Sequence, residues 1–403
     1  MSTASLPLAG IKVLDFSWAL VGALTTKQLG DFGATIVKVE SAGRMCLTRM
    51  DAQVKVSTPR NPDDKPWFAH LNTSKQGMLL DLKNPESRTV LNRLIDWADV
   101  VVENFSPGTM KKLGLDYDQL SKRRPDIVMV SGSVYGQTGP LAQEWGIDGT
   151  GAALSSRIFM TGWPDREPVL PSVPYGDALL PLLMASAAVA ALDRRSRTGE
   201  GAHIDASMFE AQVQQMVPAM IEQQLTHRAP QRCGNRVPDA APHGVFPCDG
   251  EDRWIAIACE DDKQWRALRQ LLKVNDPRFE TLAGRKHHED ELEHLIASWT
   301  RSQDAFALMR QLQDMGIAAG VVQNAGDLLE RDPQLKYRDF LQDVEHSVLG
   351  TFGHHAPPYK LSRTPALVKT APRLGEHTRQ ICLELLNMPV EEIGRLEKAG
   401  VFA

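Results

Sequence analysis

Residues 11–40, IKVLDFSWALVGALTTKQLGDFGATIVKVE, decide the fold class. Ile11–Phe16 is a short apolar run, Ala19–Leu29 has the apolar spacing of a helix, Gly33 breaks the pattern, and Thr35–Val39 is a second β-branched run. This is β-α-β order with a crossover long enough to join two parallel strands. The rhythm repeats downstream. Pro85–Trp97 reads as a helix with Val90, Leu91, Leu94 and Ile95 on one face, and Asp99–Glu103 (DVVVE) as a strand. Thr109–Leu113 reads as a short helix and Ile127–Ser131 (IVMVS) as another strand. Such alternation predicts an α/β fold whose parallel sheet is covered on both faces. Ligands of these sheets bind beyond the carboxyl ends of the strands, so the residues after Phe16, Val39, Glu103 and Ser131 are the first candidates for a site.

Further along, GQTGP at 136–140 is a turn cluster, and 141–176 is a loop-rich approach to Asp177 and the apolar run Ala178–Leu192. His203–Met208 reads as a strand and Phe209 to about His227 as one long helix. The Pro-, Gly- and Arg-rich stretch 228–249 marks a crossing into a second unit with strands in WIAIAC and AAGVV. The expected layout is a large first part over 1–227, a small domain over 228–330, and a C-terminal return over 331–403 that ends with a helix at Glu376–Leu386.

The 403 residues are 42% apolar and 24% charged, the balance of a globular chain. A formal charge of -5 and no basic tract argue against nucleic acid as a partner. Phosphate contacts must then come from a local cluster of cations. Five cysteines without a C-x-x-C pair fit reduced thiols in a cytoplasmic protein. Met1–Gly10 lacks a signal-peptide pattern. The 15 residues of Ala178–Leu192 are too few to span a bilayer, so the run is expected to be a buried helix with no membrane role.

Asp177 is the leading chemical candidate. It follows Gly176 and precedes the apolar helix, which predicts a carboxylate at the helix N-cap, near the positive end of the dipole. A cap alone would explain it. Gly176, however, allows close approach of a ligand, and a carboxylate so placed can attack an acyl carbon. Lys38, Arg44, Arg49, Lys75, Lys111 and Lys112 recur near predicted strand ends and offer phosphate partners if they converge. The pairs His287-His288 and His354-His355 have no acid at a helical ligand spacing, so no metal site is expected. Nucleophile-elbow, P-loop and zincin motifs are absent from the sequence.

At this point the motifs become specific. LAGIKVLDF, NTSKQGMLLDLKNPE at 72–86, ENFSPGTMKKLGLDY at 103–117, GQTGP, YGD at 175–177, RTGEGAHIDASM at 197–208, GNRVP at 234–238 and DPQLKYRDF at 332–340 together resemble the family III CoA-transferases. That family includes formyl-CoA, carnitine-CoA and bile-acid CoA transferases. The resemblance implies a Rossmann-like large domain built from both chain ends, a smaller α/β domain, and an interlocked, ring-like dimer. It implies that Asp177 attacks an acyl-CoA thioester to form an acyl-aspartyl anhydride and then an aspartyl-CoA thioester, which the acceptor acid resolves. Coenzyme A enters as a substrate, with no permanently bound cofactor. Contacts to it carry over to Val21, Lys75, Asn104, Phe105 and Lys112, and partners are an acyl-CoA, a carboxylic acid, and a second identical or related chain.

The chain also departs from the family pattern. Ser41 stands where relatives carry an arginine, so Arg44 or Arg49 is expected to substitute, and Ser133 replaces a CoA-contacting lysine. The glycine-rich lid of formyl-CoA transferase corresponds to VPDAAPHG at 237–244. The histidine of the related racemases is Ile147, which cannot shuttle a proton and disfavours racemisation. A non-catalytic partner subunit is the other alternative. Trp18, Phe159, Trp163 and Tyr175 suggest a bulky or aromatic acceptor acid, as in the succinyl-CoA:benzylsuccinate branch.

Overall fold

Six parallel strands form the main sheet in the order β3-β2-β1-β4-β5-β6. They are β1 Lys12–Asp15, β2 Thr35–Glu40, β3 Lys75–Leu79, β4 Val100–Glu103, β5 Val128–Ser133 and β6 Ala202–Ser207. The structure, a computed structural model, describes residues 6–50 and 61–403; residues 1–5 of the N-terminal stretch read above lie outside the described residues. The two-residue period of the strands supplies a core on each face. Leu14, Val37, Val101 and Met129 point to one side, where Leu91, Leu94, Ile381, Ile393 and Leu396 cover them. Val13, Ile36, Val100, Val102, Val128 and Val130 point to the other, under Leu29, Leu180, Met184 and Ala188. Strands buried on both faces read as continuous apolar runs, which is why DVVVE and IVMVS are so plain in the sequence.

β3 is the strand the sequence hid. Its KQGML begins with a charge and contains a glycine, both weak strand formers. It is an edge, and the C-terminal segment covers it: Gly77 N–H donates to His377 Nδ1 at 3.2 Å and Leu79 N–H to Thr378 Oγ1 at 2.9 Å. Pairing of this kind removes the hazard of an open edge.

Three helix expectations need correction. The apolar run belongs to a 24-residue helix, Tyr175–Thr198, closed by Gly199 at φ 73 with its N–H on Arg195 O. Its length and composition do meet the criterion for crossing a bilayer. Nor is it buried all round: Leu180, Met184, Ala188 and Leu192 face the sheet, while Leu182, Leu183 and Val189 are exposed. The expected long helix after β6 is two, Met208–Gln215 and Val217–Thr226, because Pro218 has no N–H to continue the ladder. The expected Glu376–Leu386 helix is shorter, Thr378–Gln380 running into a π turn at Ile381–Leu385.

The chain forms two compact units: among the described residues, one from 6–50, 61–157, 170–227 and 335–403, the other from Ile158–Val169 and Arg228–Gln334. In the second, β7 His243–Pro247, β8 Trp254–Ala258 and β9 Ala318–Val321 form an antiparallel sheet. Phe246, Ile255 and Ile257 pack with Trp265, Leu268, Leu292 and Leu312 from the flanking helices. Segment 158–169, placed by sequence in the first part, clusters with this second unit.

Candidate active site

The strand order reverses between β1 and β4, and the crevice at such a switch point is where open α/β sheets bind ligands. The turns leaving these two strands are tied together. Asn104 Oδ1 accepts from Trp18 N–H and Asn104 Nδ2 donates to Trp18 O, both at 2.6 Å. One side chain thus clamps both backbone groups of Trp18, and Trp18 Nε1 donates to Met45 O at 2.7 Å. Beneath, Glu103 accepts from Phe105 N–H at 2.8 Å, and burial pushes its carboxyl up to about 7.

Beside this clamp opens a cleft of about 440 Å³ lined by Trp18, Val21, Arg44, Leu47, Asn104, Phe105, Ser133, Tyr135, Trp145, Ile147, Asp148 and Asp177. A smaller pocket of about 150 Å³ adjoins it, lined by Phe16, Trp18, Val39, Arg44, Cys46, Leu80, Lys83 and Phe105. The Arg44 guanidinium lies 5.1 Å from the Trp18 ring centroid and 5.9 Å from that of Phe105. This places a cation among aromatic faces, a geometry that suits a flat heterocycle carrying phosphate.

Of the residues named from sequence, the structure brings Asp177, Val21, Asn104, Phe105 and Arg44 to one cleft. Lys75 is not among them. Its Nζ lies buried beneath the Val21–Asp31 helix, 3.1 Å from Asp15 Oδ2, 2.9 Å from Ala23 O and 2.8 Å from Asn72 Oδ1. Burial alone would raise Asp15, but Lys38 and Lys75 pull it down to about 2. Lys38 is also interior, donating to Ser17 O at 2.8 Å. Arg49 is buried between Glu40 and Asp63, so of the two arginines considered only Arg44 faces the cleft. Lys112 is exposed on the Thr109–Lys112 turn and lines neither pocket. The cations at strand ends therefore do not converge as a group: Lys38, Arg49 and Lys75 hold the fold, Arg44 lines the cleft, and Lys111 and Lys112 are exposed.

The aromatic candidates also divide. Trp18 lines the cleft, and Tyr175 sits at the start of the Asp177 helix under the Arg157 guanidinium, 4.5 Å from its ring centroid. Phe159 and Trp163 belong to the second unit. Tyr135 and the 91% exposed Trp145 line the cleft and were missed from sequence, because they sit in loops with no periodicity to mark them. Among the described residues no group of three or more His, Cys, Asp or Glu side chains is arranged to hold a metal ion.

Asp177 is not the N-cap. Pro174 holds that position, and Tyr175 and Gly176 are already helical, which sets Asp177 in the first turn. The orphan N–H of Gly176 is satisfied from elsewhere, by Asp148 Oδ1 at 2.6 Å. Pro181, four residues on, has no N–H for the Asp177 carbonyl. No hydrogen bond or ion pair reaches the Asp177 carboxylate among the described residues. Burial, and then the neighbouring Asp148 carboxylate, push it up to about 6. A partly buried carboxylate of raised basicity, unengaged and facing a cleft, is equipped to act as a base or a nucleophile.

Comparison with known proteins gives the family. The model of CoA-transferase family III matches residues 8–378. A succinyl-CoA–D-citramalate CoA-transferase of Chloroflexus aurantiacus is 32% identical, over 98% of each chain. The beta subunit of a succinyl-CoA–L-malate CoA-transferase from the same organism is 29% identical, over 99% of each. The crystal structure of a CaiB/BaiF family protein from Brucella suis superposes with a TM-score of 0.85 at 30% identity, covering 94% of this chain and 100% of that one. The chain belongs to CoA-transferase family III and is a CoA-transferase.

Proposed function

We propose that the enzyme moves CoA from succinyl-CoA to a carboxylic acid bearing a bulky apolar or aromatic group, such as benzylsuccinate, through covalent intermediates on Asp177. An Asp177 oxygen attacks the thioester carbonyl carbon, the C–S bond breaks, and the electron pair leaves on sulfur as CoA thiolate. The thiolate then attacks the Asp177 acyl carbon of the anhydride and releases the donor acid as its carboxylate. The acceptor carboxylate attacks this aspartyl thioester, and the thiolate returns to the acceptor's acyl carbon. Each step exchanges one acyl partner, the gain that covalent catalysis offers.

The observation that carries this reading is the unengaged Asp177 carboxylate in the cleft at the switch point. Val21, Asn104, Phe105 and Arg44 are the CoA contacts in this reading, with Arg44 and Lys83 beside the aromatic pocket for phosphates. Succinyl-CoA as donor is supported by the names of both relatives. A bulky acceptor is supported by Trp18, Leu47, Tyr135 and Trp145 in the cleft wall. Ile147 lines the same cleft and carries no titratable atom, which speaks against a racemase.

The reading includes a second chain in a ring-like dimer. The Val217–Thr226 helix has no buried residue and exposes Val217, Met220, Ile221 and Leu225. Contiguous exposed apolar surface of this kind marks an interface. A related, unlike partner is a second possibility, favoured by the resemblance to a beta subunit. The test is a transfer assay on the purified single chain with succinyl-CoA and a panel of acids. Turnover on benzylsuccinate above that on malate is expected. Activity confined to short aliphatic acids would refute the acceptor class, and no activity without a second gene product would refute the homomeric enzyme.

A further inference from the structure

Asp148 shares the cleft with Asp177 and is 6% exposed. It opens the Asp148–Leu154 helix, yet that helix start does not need its side chain, because Thr150 Oγ1 accepts from Ile147 N–H at 2.9 Å. The carboxylate points instead at the Tyr175–Thr198 helix. Its Oδ1 accepts from Gly176 N–H at 2.6 Å and from Gln212 Nε2 at 3.2 Å, and Gln212 is fully buried on the Met208–Gln215 helix. The fit leaves no slack: a Cβ on Gly176 would lie 2.2 Å from Gln212 Nε2 and 2.6 Å from Asp148 Oδ1. Three helices thus meet at one carboxylate, on the peptide immediately before the acyl carrier.

Holding an N–H needs only an acceptor, and the amide oxygen of asparagine would serve. A carboxylate adds a negative charge beside the negative charge of Asp177. We propose that Asp148 is a positioning residue for the transfer: it fixes the Gly176 peptide and, by like charge, drives Asp177 toward its acylated, neutral form. The proposal rests on the Asp177 reading above. When Asp177 attacks the thioester, its negative charge leaves with the sulfur as CoA thiolate, and the anhydride left behind is neutral. The aspartyl-CoA thioester is neutral at the same atom. Either adduct relieves the repulsion that the free carboxylate suffers, just as protonation does.

This equivalence gives a signature that a structural role lacks. Protonation and acylation remove the same charge, so losing Asp148 must shift both equilibria by the same factor. Other groups around Asp177 are Arg44, Tyr135 and Glu144 in the cleft and Arg157 over Tyr175; Asp148 is the charged residue whose field raises it. In Asp148→Asn the Oδ1 acceptor for Gly176 N–H and Gln212 Nε2 is kept while the charge is removed.

The experiment mixes the full chain with succinyl-CoA, quenches in acid, and reads the covalently modified fraction by intact mass from about pH 4.5 to 8. For Asp148→Asn the acid limb of adduct formation should move down by about one pH unit, and the adduct-to-free ratio above that limb should fall about tenfold. An unchanged limb and ratio, with loss only in Asp148→Ala, would show a purely structural residue and overturn the proposal. Should Asp148→Asn fail to fold, Gln212→Leu provides the opposite perturbation. It strips a donor from a retained charge and should move the limb up; an unmoved or lowered limb overturns the idea. A wild-type chain with no adduct defeats the Asp177 reading itself, whereas a normal wild-type adduct with an unaltered Asp148→Asn defeats only this one.

Discussion

Replacing Asp177 by asparagine should make the protein more stable, and only above a defined pH. Burial and the Asp148 charge raise the Asp177 carboxyl from 3.8 to about 6. A carboxyl whose folded value exceeds its unfolded one favours the fold while protonated. The stability it lends is full below about 3.8 and is lost as pH rises through about 6. At about 1.4 kcal/mol per unit, a shift of about two units sets a ceiling of about 3 kcal/mol. Asp177 is partly open to the cleft, and solvent screening reduces this to about 1–2 kcal/mol. Asparagine cannot ionise and does not incur the loss. Thermal unfolding of both proteins should therefore show a gap of about 1–3 °C in favour of the variant at neutral pH, narrowing as pH falls below 6. A gap that does not vary with pH, or a variant less stable than wild type at neutral pH, would refute the electrostatic reasoning. Function and stability would then not be opposed at this residue, contrary to the usual trade-off at active sites.

Four further outcomes follow from the geometry. Asn104→Ala releases both backbone groups of Trp18; at about 1–2 kcal/mol for the pair, the KM for acyl-CoA should rise roughly 5- to 30-fold with the fold retained, as steady-state kinetics will show. Lys75→Met leaves Asp15 buried with half its counter-charge, so about 3–5 kcal/mol of stability should be lost in denaturant titrations, whereas Arg44→Ala should weaken CoA binding and leave unfolding unchanged. Trp145→Ala removes an exposed wall of the cleft and should raise the KM for a bulky acceptor at least threefold while sparing the succinyl-CoA half-reaction.

The sheet was legible because strands sealed on both faces leave unbroken β-branched runs, and their carboxyl ends were the places to seek a ligand; the strand order, and so the switch point between β1 and β4, came from the structure. β3 was not legible, since it is held by β2 on one side and by His377 and Thr378, some 300 positions away, on the other, and its own KQGML carries little strand signal. The same limit governs the site. Asp177 stood out beside Gly176, and Asn104 and Phe105 follow a strand end, where a ligand was to be sought. Lys75 looked equally suitable, but its side chain turns inward to Asp15, a direction that spacing along the chain does not encode. Asp148 was read only through its neighbour Ile147. Its contacts, Gly176 and Gln212, lie 28 and 64 residues away, so nothing local announced them.

In the proposed mechanism the Asp177 carboxylate carries the acyl group. The most direct measurement of this is mass-spectrometric mapping of the chain after succinyl-CoA and hydroxylamine are added together. A hydroxamate on Asp177 is expected, with free CoA released in step and no label in Asp177→Ala. Full transfer by Asp177→Ala, or a label on any other side chain, would contradict it.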